Sequence, residues 1–126
     1  SPLLSNVERT TDLLLIKTGF ERCRDTAAYW EAGPGLAASL ADVFSDALPS
    51  LRAIGIDAIS ISSILNRQEG RAAHAALLGR NILIFEDMSL CQLQPATLIR
   101  QVIALPLRYA DADGAPCSIV AWIDEP

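Results

Sequence analysis

His74 is the chain's only histidine, and Glu86 follows it twelve positions later in the stretch "GRAAHAALLGRNILIFEDMSL". An imidazole and a carboxylate both ligate divalent metals, and both can move protons. The pair could therefore be part of a metal or catalytic site, or simply a helix surface followed by a strand end. Glu86 closes the apolar run "ILIF", at a strand's C-terminal end, where α/β folds place ligands and catalytic groups. Its alternative is a solvated carboxylate opening a loop with Asp87. Asp57, after Gly55 and Ile56, caps the preceding turn or hydrogen-bonds a backbone amide, or else takes a chemical role. Asp25, Tyr29 and Trp30 occupy a long loop and could line a pocket, or the two aromatics could merely seal the core. The chain contains no GxSxG, GxGxxG or P-loop motif, so no serine nucleophile or nucleotide cradle is indicated. Gly33-Pro34-Gly35 reads as a turn.

The surrounding elements decide whether such residues can meet. "TDLLLIKT", residues 11–18, reads as a buried strand closed by Gly19. The next segment mixes charges and aromatics, with room for one helical turn. Apolar residues at Leu36, Leu40, Val43, Phe44, Ala47 and Leu48 have the three-four spacing of an amphipathic helix. Pro49 interrupts or ends it, and Leu51 to Ile54 is expected to add a last turn before Gly55. Residues 56–62, "IDAISIS", alternate as a second strand. A helix is expected from about Gln68 to Leu78, stopped by Gly79, with Ala73, Leu77 and Leu78 on its apolar side. "NILIFED" is a third strand, apolar enough to be covered on both faces. "QVIALPLRYA" and "CSIVAWID" are two more, joined through the turn signal Asp113-Gly114, with Pro106 marking an edge or a bulge. The order predicts an α/β fold with a mixed β-sheet and flanking helices.

At 126 residues the chain is long enough for one core and short for two. Residues 1–126 therefore read as a single domain. The formal net charge of -5, with one lysine and scattered arginines, opposes nucleic-acid binding. The longest apolar runs fall far below the roughly 20 residues that span a bilayer, and the opening residues carry no leader pattern. Cys23, Cys91 and Cys117 are odd in number and widely spaced, as expected of reduced thiols in a cytoplasmic protein.

Several stretches recur in a known order: "TDLLLIKTGF", "AAYW", "GPGL", "IGIDAISIS", "AAHAALLGRNILIFEDM" and "IALPLRYADADGAPCSIVAW". Over roughly residues 10–123 the chain resembles the C-terminal portion of the cyclase family of metal-dependent hydrolases, which includes kynurenine formamidase (arylformamidase) and isatin hydrolase. The resemblance implies a swivelling β/β/α fold, assembled into dimers or higher oligomers. It implies hydrolysis of an amide or cyclic amide, with an aromatic metabolite of tryptophan catabolism as the type of substrate. It also implies that His74 and Glu86 ligate a divalent metal, zinc or manganese, and that Asp57 is structural. Tyr29 and Trp30 are the candidates for substrate contact. The family's upstream His-x-Gly-x-His-x-Asp run, with a further His beyond it, is missing. Ser62 stands where the family often has Asp, and Ser118 where an Arg often follows the Pro.

Three accounts follow. The chain is part of a hydrolase whose other ligands come from an N-terminal companion segment, or a relic without turnover, or a small-molecule binding or oligomerising module. In each, the chain by itself is expected to show negligible formamidase activity.

Overall fold

The computed structural model describes residues 4–124. They divide into two compact units, residues 4–91 and 92–124.

The first unit is built on a parallel three-stranded sheet in the order β1-β2-β3: β1 is Leu13–Ile16, β2 Ala53–Ile56 and β3 Leu83–Phe85. Parallel neighbours need a crossover. The first crossover carries α1, Ala27–Glu31, and α2, Leu40–Ala47; the second carries α3, Arg67–Leu78. The register aligns Leu14 with Ile54 and Ile54 with Ile84. These alternate positions join Ala41, Phe44 and Leu48 of α2 and Ala73 and Leu77 of α3 in one core cluster. Burying each large aliphatic side chain there contributes about 1.5–3 kcal/mol.

The α/β class holds, but the expected single mixed sheet is two sheets, the parallel one and a separate antiparallel pair. Element boundaries also moved. Leu51 to Ile54 does not complete a helix, because β2 already begins at Ala53 and runs through Gly55. Gly55 is a close-approach residue, not a stop. A Cβ there would lie 2.4 Å from Met88 Sδ and 2.8 Å from Leu15 Cδ2. The second strand ends at Ile56, so residues 57–62 form a loop whose apolar Ala58 and Ile61 are nonetheless buried. Helix α2 starts at Leu40 rather than Leu36, since Leu36 donates its N–H to Ile61 O at 2.8 Å and is held extended. β3 is a sheet edge, with Leu83 57% exposed, so it is not covered on both faces.

Helix α3 is fixed at its start by two linked contacts. Asn66 caps its start by accepting from Glu69 N–H, and Glu69 in turn accepts the N–H of Ala38 at 2.6 Å. Gly70 lets the helix press against the loop after β2. A Cβ at Gly70 would lie 2.8 Å from Ser62 Cα and closer still to its side chain. On propensity alone Gly70→Ala would gain about 1 kcal/mol. Against an immovable backbone it is expected instead to cost about 1–3 kcal/mol, read as a lower urea midpoint, and an unchanged or higher midpoint would refute the close contact.

The second unit is an antiparallel ribbon of β4, Leu98–Pro106, and β5, Cys117–Asp124, with a register shift between Ile99 and Gln101. Pro106 pairs with Cys117 at the ladder's end, where a proline is tolerated. Arg100 Nε donates to Asp124 Oδ2 at 2.7 Å. None of the described residues after Cys91 is buried.

Candidate functional site

The three parallel strands end together, and the residues just beyond them converge. Asp57 follows β2 and is fully buried. Its Oδ1 accepts the N–H and the hydroxyl of Thr18 at 2.7 and 2.6 Å, and its Oδ2 accepts Gly19 N–H at 2.7 Å. Gly19 has φ 78°, a region favoured by glycine, so the Asp57 carboxylate closes the turn at the end of β1. Its partners are backbone amides and one hydroxyl, and the turn it closes is the one after β1, not the one that precedes Asp57 in the chain.

Glu86 follows β3. Its Oε1 accepts from Ser60 Oγ at 2.7 Å and from Ile61 N–H at 2.8 Å. The same oxygen lies 3.2 Å from His74 Nε2. The chain passes from α3 to β3 through a short turn at Gly79–Ile82, which is why a helix residue and a strand-end residue meet.

His74 Nδ1 lies 2.9 Å from Gly70 O. A carbonyl only accepts, so Nδ1 carries the hydrogen. In the neutral ring Nε2 then presents a lone pair to a carboxylate oxygen, and that contact is attractive only with a positive charge between them. The charge is either a proton, giving an imidazolium–carboxylate pair, or a metal ion. A ring whose other nitrogen is tied to a backbone carbonyl is how metal-binding histidines are oriented. The 3.2 Å separation is that of an ordinary ion pair or hydrogen bond, and it is also compatible with two ligands of one tetrahedral zinc, which are roughly 3.3 Å apart, although Oε1 already accepts from Ser60 and Ile61. Among the described residues no group of three or more His, Cys, Asp or Glu side chains could hold an ion.

Asp87 comes next, with φ 56°. It receives the Tyr29 hydroxyl and the Arg24 guanidinium. Tyr29 is 1% exposed, stacks on Phe20 and meets the edge of Trp30, and Arg24 lies 5.1 Å over its ring. Burial first, and the bond to Asp87 second, push the Tyr29 hydroxyl above its ordinary pKa of 10. It therefore acts as a donor at neutral pH.

Trp30 is 61% exposed. It lines a cleft of about 270 Å³ with Ile59, Ser62, Ile64, Arg67 and Arg71. Tyr29 does not line this cleft, and Asp25 is exposed. The two arginines were not singled out from sequence, although Arg67, Arg71 and His74 have the spacing of one helix face.

A further acid fixes the segment after the site. Glu21 accepts the N–H groups of Leu90 and Cys91, the latter at 2.9 Å. Burial alone would raise its pKa, but these bonds together hold it below the ordinary 4.5. A depressed carboxyl stabilises the fold above its unfolded pKa, and that contribution disappears as pH falls. The amide resonances of Leu90 and Cys91 are therefore expected to move below about pH 4.5, and to lose that titration in Glu21→Gln. A titration that survives in Glu21→Gln would exclude Glu21 as its source.

Cys23, Cys91 and Cys117 are free thiols. Among the described residues no helix is long and apolar enough to cross a membrane. A scan against protein-family models and searches of curated proteins and of solved structures return no match.

Proposed function

We propose that this chain supplies half of a divalent-metal centre in an amide or cyclic-amide hydrolase of the cyclase type, with His74 and Glu86 as two ligands. One observation carries the reading: His74 Nε2, with Nδ1 tied to Gly70 O, faces Glu86 Oε1 at 3.2 Å beside the ends of the parallel strands. The sequence resemblance supports the same assignment, and with it a swivelling β/β/α fold. A zinc or manganese ion bound there would polarise a carbonyl and bring a bound water's pKa toward neutrality. The chain's own residues orient the ligands: Gly70 O sets the imidazole, and Ser60 and Ile61 N–H hold the carboxylate. Asp57 keeps the strand ends in place. The remaining ligands come from an N-terminal companion segment, and two donors alone hold zinc weakly. The test is metal content and formamidase rate of the chain joined to a segment carrying the His-x-Gly-x-His-x-Asp run, with and without His74.

A second reading, an oligomerising module, is favoured by the ribbon. Ile103 lies opposite Val120 and Gln101 opposite Trp122, and with Leu105 they leave an exposed apolar face. A ribbon of two strands is marginal alone, and an apolar face of this kind marks an interaction surface. In sedimentation equilibrium the chain is expected to self-associate, and Leu105→Lys with Val120→Lys to weaken this at least tenfold. A wild-type chain that stays monomeric would remove the reading.

A further inference from the structure

We propose that the cleft between Trp30 and the start of α3 binds the carboxylate of a small planar acid. The two halves of its lining differ in chemistry. Trp30, Ile59 and Ile64 present an aromatic and aliphatic wall, and Trp30 and Ile64 are left largely uncovered. The same cleft is lined by Arg67 and Arg71, one turn apart on α3, and by Ser62. Among the described residues neither guanidinium makes a hydrogen bond or an ion pair, and the Ser62 hydroxyl makes no hydrogen bond.

That is unusual company in a chain of net charge -5. Two like charges at i and i+4 repel. The acid between them in sequence does not relieve this by pairing, because Glu69 Oε1 is occupied by Ala38 N–H. Guanidinium groups match a carboxylate in planar, bidentate geometry, and an indole face accepts a flat ring. A volume of about 270 Å³ suits a ligand of one or two rings. Arg71 precedes His74 by three residues, about 4.5 Å along the helix axis, but neither His74 nor Glu86 lines the cleft. The ligand class rests on the cleft residues alone, and only its role as substrate rests on the hydrolase reading.

The experiment is a titration of the chain, without added metal, with indole-3-carboxylate and with its neutral amide, followed by nuclear magnetic resonance of the Trp30 indole N–H. The acid is expected to shift this resonance and to bind at least about tenfold more tightly than the amide, the scale of one charge-assisted hydrogen bond. Arg67→Gln with Arg71→Gln should erase the preference while leaving the amide spectrum folded. His74→Ala should bind the acid unchanged, which separates this site from the proposed metal ligands. Equal affinity for acid and amide, no binding of either, or an undiminished preference in the folded double variant would each overturn the proposal.

Discussion

Asp57→Ala is expected to cost residues 4–91 about 3–5 kcal/mol, the scale of breaking a buried charged network, against a total of about 5–15 kcal/mol for a domain. The carboxylate is fully buried and accepts three hydrogen bonds. Alanine leaves the N–H groups of Thr18 and Gly19 without their partner, and it opens a void at the junction of β1 and β2. Asp57→Asn keeps the shape but turns an amide NH₂ toward one of these donors, so about 1–3 kcal/mol is expected. Thr18→Val removes only one of the three bonds and should cost about 1 kcal/mol. Urea unfolding followed by circular dichroism orders the three variants. If Asp57→Ala fell within 1 kcal/mol of wild type, the carboxylate would not be the clamp described.

If His74 and Glu86 are ligands as proposed, His74→Ala in the chain joined to a segment carrying the His-x-Gly-x-His-x-Asp run is expected to lose one equivalent of bound metal and essentially all turnover. Losing a mere supporting partner of a ligand costs about 10–100-fold in metal affinity, so losing the ligand should exceed a hundredfold. Glu86→Gln should follow the same direction, because it keeps the shape that receives Ser60 and Ile61 but removes the negative charge. Neither change touches Asp57, so both variants should remain folded. Metal content by mass spectrometry together with the hydrolysis rate decides the matter. Unchanged metal and unchanged turnover in His74→Ala would leave the contact as an ion pair only.

How much of this was legible in the sequence depends on how local the cause was. Helix α3 announced itself through Gly79 and its apolar stripe, and the ribbon through its two apolar strands; Asp113-Gly114 is not the tight turn expected, since residues 107–116 form a longer loop that turns at 110–111, with Asp111 and not Gly114 at positive φ. The meeting of His74 with Glu86 followed from a helix passing directly into a neighbouring strand. Gly55 misled, because a glycine that ends a helix and a glycine that admits Met88 and Leu15 look alike until the packing is known. Alternation across Ile56 to Ile61 looked like a strand, yet it was burial of a loop whose Asp57 is turned back onto residues 18 and 19. Leu36 had helix spacing but pairs its backbone with Ile61. The supports of Glu86 were invisible for the same reason: Ser60 and Ile61 lie in a loop whose path only the tertiary structure fixes. Arg67 and Arg71 were open to reading, since their spacing with His74 is helical, but nothing in sequence placed Trp30 in the same cleft.

The parallel sheet carries a kinetic consequence. Leu13 finds Ala53, and Ala53 finds Leu83, only after an entire crossover has been brought round, so no strand of this sheet has a local partner. Closing such loops costs chain entropy before any ladder bond forms, and topologies of this kind fold slowly. Within residues 4–91, helix α3 and β3, joined by a short turn, are a neighbouring pair able to assemble early. The imidazole and its acid would then be brought close near the start of refolding, while the Asp57 clamp, which joins β1 to β2, would close near its end.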